Sequence, residues 1–367
     1  MKSICRGNIQ NELHQSKVFL YGAGITCRRI LKLLQPYSIK VEYIIDDDMN
    51  KWGTMVEDIE IISFEQLEEI CKSLTHVSVI VTTIYGKTVL KTLRNIGNID
   101  VYEMYGWLDE IYALNSLTIG LNDEGEIEKF GNHISAIKDK LADVESQKVY
   151  EDIYDYMCTR DSKIIADVCT EYEQYFIPEV LEAVQEPLNI VDGGAYVGEL
   201  YQSIKRHNLE LEHWYCFEAD EDNYKMLLSQ SKKMGLKGVQ ICIEKGLWDK
   251  EGVLYFDAEK NTVSRIVNYK TENQIETISL NIYFKDRKCN FIKLDIEGAE
   301  YPALCGALDI IRRDRPILAI SIYHSVEDYY RIPEYLMEQL QDYKYFIRHH
   351  ALILSETVLY AIPNELA

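Results

Sequence analysis

The chain has no apolar run of the length that a bilayer crossing requires, and its first ten residues, MKSICRGNIQ, lack the apolar centre of a signal peptide. Positive charge is scarce too. Lysine and arginine number 39 against 60 aspartates and glutamates, a net charge of −21. Adding a proton to each of the eight histidines still leaves −13, so a nucleic-acid backbone or an anionic membrane surface is a poor partner. No CxxC pair occurs, and the nine cysteines, an odd number, scatter through expected strands and helices. That usage suits buried, reduced thiols in a cytoplasmic protein and argues against structural zinc. Internal repeats and low-complexity tracts are also missing.

What is present is material for more than one core. A length of 367 residues exceeds one ordinary domain, and a hydrophobic share of 47% is that of a globular protein. The pattern predicts an α/β protein of two Rossmann-like domains, residues 1–105 and 188–367, joined by a helical connector over 106–187. In the connector, Ile134, Ile137, Leu141 and Val144 recur at helical spacing, and Val149, Ile153 and Met157 continue the stripe. Tyr150, Tyr154, Tyr156, Tyr172, Tyr175 and Phe176 crowd the same region, as aromatics do where two elements pack. Tyr175 and Phe176, just before Pro178, are also placed to act as a lid.

The stretch Ile190–Glu199, IVDGGAYVGE, is the most informative. An apolar strand ends at Asp192; Gly193, Gly194 and Ala195 turn the chain; Tyr196 and Val197 follow; Gly198 and Glu199 open a helix expected from Val197 to Arg206. Strand, glycine turn and helix in this order bring backbone close to a nucleotide-like ligand. A second strand, Trp214–Phe217, ends at Glu218 and Ala219, where an acid can accept hydrogen bonds from both hydroxyls of a ribose. A third, Val239–Ile243, leads into Glu244, Lys245 and Gly246, expected to border a base, and then into a hairpin through Lys250–Gly252. A fourth, Phe291–Leu294, delivers Asp295 and Glu297; a fifth, Pro316–Ile322, delivers His324. Asp295, Glu297 and His324 are the candidates to receive a proton, since open α/β sheets build sites at the carboxyl ends of their strands. Each has a plain alternative: His324 as a core or capping histidine, and the acids as orienting groups. Asp295 with Glu297 could also hold a divalent ion through oxygen. His349 and His350 sit side by side on a strand and point to opposite faces.

The N-terminal domain carries a weaker signal. Val18–Tyr21 leads into Gly22, Ala23 and Gly24, and Asp46 follows at close to the spacing of a dinucleotide fingerprint. The third glycine position is Cys27, which loosens the helix–strand contact that fingerprint requires.

With VDGGAYVGE, FEADEDN, KLDIEGAEYPALCGA, LAISIYH and ETVLYAIP in order, the second half resembles the FkbM family of S-adenosylmethionine-dependent methyltransferases. YGAG…IIDDDMNKWG at the other end resembles nucleotide-sugar-type Rossmann domains found beside transferases. The first resemblance implies a seven-stranded class I methyltransferase sheet, S-adenosylmethionine as cofactor, and methylation of a hydroxyl oxygen on a small metabolite, often a sugar. By position it implies Asp192, Gly194, Gly198 and Glu218 as cofactor residues and Asp295, Glu297 and His324 at the reacting end. Relatives often carry Asn where Tyr196 stands. A nicotinamide-dependent sugar-nucleotide oxidoreductase or epimerase built on Gly22, Gly24 and Asp46 is the alternative, and the first domain is a candidate homodimer interface.

Overall fold

The computed structural model describes residues 13–83, 87–103, 123–159, 162–184, 187–236, 239–257, 265–267, 270–271 and 273–367. The chain divides into two compact units. One comprises Met1–Thr118, Ile165–Glu171 and Ala351–Ile353; the other comprises Ile119–Ile164, Tyr172–His350 and Leu354–Ala367. No helix among the described residues is long and apolar enough to cross a membrane.

In the first unit the strands are β1 Lys17–Tyr21, β2 Val41–Ile45, β3 Met55–Val56, β4 Ile59–Ile62, β5 Val77–Val81 and β6 Ile99–Glu103, in the order β3-β4-β2-β1-β5-β6. All neighbours run parallel except β3 with β4. Strands of such a sheet read as unbroken apolar runs because both faces are covered. VSVIV in β5 is buried at all five positions. Helices Ile25–Leu34, Phe64–Cys71 and Lys87–Arg94 follow β1, β4 and β5. Ser63 starts the second of these with a capping box closed by Gln66.

The second unit contains β7 Leu188–Gly193, β8 Leu211–Phe217, β9 Gln240–Ile243, β10 Gly246–Leu247, β11 Gly252–Asp257, β12 Arg265–Val267, β13 Asn273–Ile278, β14 Phe291–Leu294, β15 Ile317–Ser321, β16 Tyr343–His349 and β17 Thr357–Pro363. Seven of them form one sheet in the order β16-β17-β15-β14-β7-β8-β9, parallel apart from β17, which is antiparallel to both neighbours. The seven-stranded α/β sheet expected of this half is therefore present. Ile190, Trp214, Phe291, Ala319 and Tyr360 form its core with Phe176 and Leu227. The helices Glu124–Lys138, Val144–Thr159 and Pro178–Ala183 belong to this unit. Arg348, 1% exposed on its side chain, bonds Asp143, Ser146 and Glu179 and so ties the last two of those helices to β16.

Two local expectations are corrected. Lys250–Gly252 does not make a hairpin of β10 and β11, because β13 lies between them, parallel to β10 and antiparallel to β11. Gly246 and Gly252 both register with Thr277, so the turn signal marked a reversal of the chain and not the strand that fills it. The helix after β7 begins at Leu200 and not at Val197, since Tyr196 (φ 48°) and Gly198 (φ 87°) adopt left-handed backbone that no helix tolerates.

Candidate functional site

In the seven-stranded sheet β7 sits between β14 and β8, where the strand order reverses. A crevice opens at the carboxyl ends of the strands at such a point. The loop after β7 has to turn against β14 at once. Gly194 manages this at φ 72°, and a Cβ on it would lie 1.8 Å from the carbonyl oxygen of Asp295. Its N–H and that of Ala195 both donate to the Phe217 carbonyl at 3.0 Å, and Gly198 N–H donates to the Ala195 carbonyl at 2.8 Å. These three amides brace the loop on its own frame and on β8. Tyr196 N–H donates to Glu218 Oε2 at 2.8 Å, and Asp220 N–H to Glu218 Oε1 at 2.9 Å. Glu218 is 8% exposed. Burial pushes its carboxyl above the usual range, only partly offset by those backbone donors. Among the described residues no side-chain donor reaches it.

A residue that the sequence reading passed over holds this loop in place. Lys293, inside β14 and buried, donates to the carbonyls of Gly193 at 3.0 Å and Gly194 at 2.7 Å. Its Nζ also stands 3.0 Å from Asp192 Oδ1, a contact of charge without good hydrogen-bond geometry, while Asp192 Oδ2 accepts from Trp214 Nε1 at 3.1 Å. Burial opposes the charge on Lys293, yet Asp192 and Asp295 outweigh it and hold the ammonium above its ordinary pKa. The signal was available: a lysine within the apolar run FIKL. Its Nζ lies 5.3 Å from the centre of the Tyr175 ring.

One step further along the rim, Asp295 accepts from Tyr175 Oη at 2.8 Å and Tyr323 Oη at 3.1 Å. Tyr175 is thus anchored by its hydroxyl, while Phe176 beside it is buried in the core. Burial disfavours the charge of Asp295, but Lys293, His324 and the two tyrosines keep it ionised, with its pKa below the usual range. His324 is wedged between carboxylates: Nε2 is 3.4 Å from Asp295 and 3.7 Å from Glu297, and Nδ1 is 3.1 Å from Glu300. Burial would favour the neutral ring, yet the acids, Glu300 foremost, raise its pKa to about 10. Glu300, a further residue not singled out from sequence, is fully buried, and its Oε1 accepts from Ile296 N–H at 2.7 Å. Glu297 (φ 57°) and Gly298 (φ 94°) shape this turn, and the Glu297 side chain is 91% exposed.

The remaining residues read from sequence fall as follows. Asp192, Gly193, Gly194, Ala195, Tyr196, Glu218 and Asp295 cluster around the ends of β7, β8 and β14. A Cβ on Gly246 would lie 3.7 Å from that of Ala219, which brings the start of β10 to the end of β8. Glu199 and Glu244 are exposed, and Lys245 pairs with Glu276 at 3.0 Å. His349 and His350 are both buried.

In the first unit Asp46 lies at the end of β2, but its carboxylate accepts from Ala23 N–H at 2.7 Å, Asp48 N–H at 2.9 Å and Lys51 Nζ at 3.0 Å. The acid at the fingerprint spacing therefore already accepts from three residues of its own chain. Cys27 is buried, and burial pushes its thiol up to about 12, as befits a packed core residue.

Residues 192–347 match the family described as the methyltransferase FkbM domain, and residues 14–104 match one described as C2185-like, N-terminal. The chain is similar in fold to a methyltransferase FkbM from Methylobacillus flagellatus KT, with 19% identity, TM-score 0.58, and 97% of this chain and 93% of that one covered. An rRNA methylase from Streptococcus thermophilus aligns with 53% of this chain and 97% of its own at 15% identity and TM-score 0.35. A UDP-D-quinovosamine 4-dehydrogenase from Vibrio fischeri aligns with 26% of this chain and 84% of its own at 22% identity and TM-score 0.22. No curated protein matches the chain.

Proposed function

We propose that this chain, a methyltransferase carrying an FkbM domain over residues 192–347, moves a methyl group from S-adenosylmethionine to a hydroxyl oxygen of a small metabolite, a sugar or sugar nucleotide. The observation that carries the reading is the meeting, at one switch point, of the Gly193–Gly198 loop, the buried Glu218 and the Asp295–His324 pair. Glu218 supplies the test of fit. It is a desolvated carboxylate with only backbone donors, and the two hydroxyls of a ribose are the neutral donors that would complete it.

S-adenosylmethionine, when bound, supplies an electrophilic methyl carbon on a sulfonium centre. The chain's own part is placement and proton handling, and placement alone is worth several kcal/mol in such a transfer. Lys293 fixes the carbonyls of Gly193 and Gly194, and Gly194 lets the loop close on Asp295. Glu218 grips the ribose, and the segment Glu244–Gly246 borders the adenine. Asp295, Glu297 and His324 line the reacting end; His324, which its carboxylate neighbours hold protonated, is not free to act as the base expected from sequence, so a carboxylate of this group takes up the acceptor's hydroxyl proton. Incubation of the full chain with methyl-labelled S-adenosylmethionine and a panel of sugars and sugar nucleotides should give products one methyl heavier on oxygen. Cofactor that binds but is never consumed with any hydroxylated acceptor would refute the transfer.

A further inference from the structure

At the reacting end, Asp295, Glu300 and His324 each present a ligand atom, and these three atoms lie within 4.8 Å of one another. Two features separate this group from an ordinary acidic cluster. Glu300 is fully buried and its Oε2 has no hydrogen-bond partner among the described residues. The His324 side chain is 9% exposed, and neither ring nitrogen makes a hydrogen bond of acceptable angle there, although both face carboxylates. Buried polar atoms are rarely left so, and a bound ion is among the usual reasons.

We propose that Asp295, Glu300 and His324 form a divalent-cation site. The surroundings suit ligands held in place by other groups: Tyr175 and Tyr323 hydroxyls fix Asp295, and the Ile296 N–H fixes the other oxygen of Glu300. Two carboxylate oxygens and one imidazole nitrogen are a donor set for Mn²⁺ or Mg²⁺ more than for a thiolate-seeking ion. Three protein ligands leave coordination positions open. The exposed Glu297 carboxylate, 3.7 Å from His324 Nε2, stands beside them, and so would an acceptor oxygen. That role for the ion, drawing in a hydroxyl and easing loss of its proton, rests on the methyl-transfer reading; the binding does not.

The probe is Mn²⁺ titrated into the full chain and followed by electron paramagnetic resonance, with S-adenosylmethionine left out so that the two readings fail separately. One ion should bind per chain at submillimolar concentration, with nitrogen modulation from a directly bound imidazole in the pulsed spectrum. His324→Gln should abolish that modulation and weaken binding by about tenfold or more. No saturable binding, or binding by the parent without nitrogen modulation, would overturn the site. Because the nitrogen signal is read on the parent protein, a variant that fails to fold does not protect the proposal.

Discussion

Lys293→Met isolates the group on which the loop geometry depends. The methionine keeps the apolar stem in β14 and deletes the ammonium. Asp192, 1% exposed, then loses its only cation among the described residues, 3.0 Å away, and the carbonyls of Gly193 and Gly194 each lose a donor. Removing one member of a buried ion pair costs about 3–5 kcal/mol, chiefly because the other charge stays behind unpaired. The same reasoning makes Lys293→Met/Asp192→Asn a partial repair, since the charge of Asp192 is no longer stranded, Asp295 keeps His324 beside it, and the amide oxygen can still accept from Trp214. Urea unfolding followed by tryptophan emission reads this site well, because the Trp214 indole is bonded to Asp192. The single variant should lose several kcal/mol in the transition that Trp214 reports, and the double variant should recover at least half of it. A loss below about 1 kcal/mol, or a double variant no better than the single, would refute the argument, since breaking a buried pair should exceed an ordinary surface effect.

Gly194→Ala and Gly198→Ala both place a side chain at positive φ, a strain of about 1–2 kcal/mol each. Only the first drives a Cβ to 1.8 Å from a backbone oxygen; the second meets the Leu227 side chain at 3.2 Å. Thermal scans should therefore show a much larger loss for Gly194→Ala, and equal losses would contradict the close approach of the loop to β14. His350 is buried against the Tyr172 carbonyl and Tyr360 Oη, and burial lowers its pKa to about 4. Between the ordinary value of about 6.5 and that depressed value the unfolded chain holds more protons, so stability is full above pH 6.5 and falls as pH drops towards 4. The difference amounts to about 3 kcal/mol. The loss in stability between these pH values, measured for the parent minus that for His350→Gln, should show it, and parallel curves would refute it.

Much of the architecture could be read from sequence because its signals are local. Buried parallel strands show as apolar runs, and Gly194 and Gly198 fall where the chain turns with positive φ. Pairing is not local. Nothing in Lys250–Gly252 says that β13 will enter between β10 and β11. The charged chain Asp192–Lys293–Asp295–His324–Glu300 was half legible for the same reason. Asp192, Asp295 and His324 stood out at strand tips, whereas Lys293 acts only once β7 and β14 lie side by side, and Glu300 only once the turn after β14 meets His324. Asp46 shows the limit of spacing alone: its distance from Gly24 suits a dinucleotide fingerprint, while only the fold reveals that Ala23, Asp48 and Lys51 donate to its carboxylate.

Calorimetric titration of S-adenosylmethionine into the full chain, beside the same titration into Glu218→Ala, probes the core of this account. A single saturable site in the parent, weakened about tenfold or more in the variant as expected for hydrogen bonds to a buried carboxylate, is the result it predicts. Absence of binding to the folded parent, or equal affinity for the two proteins, would contradict it.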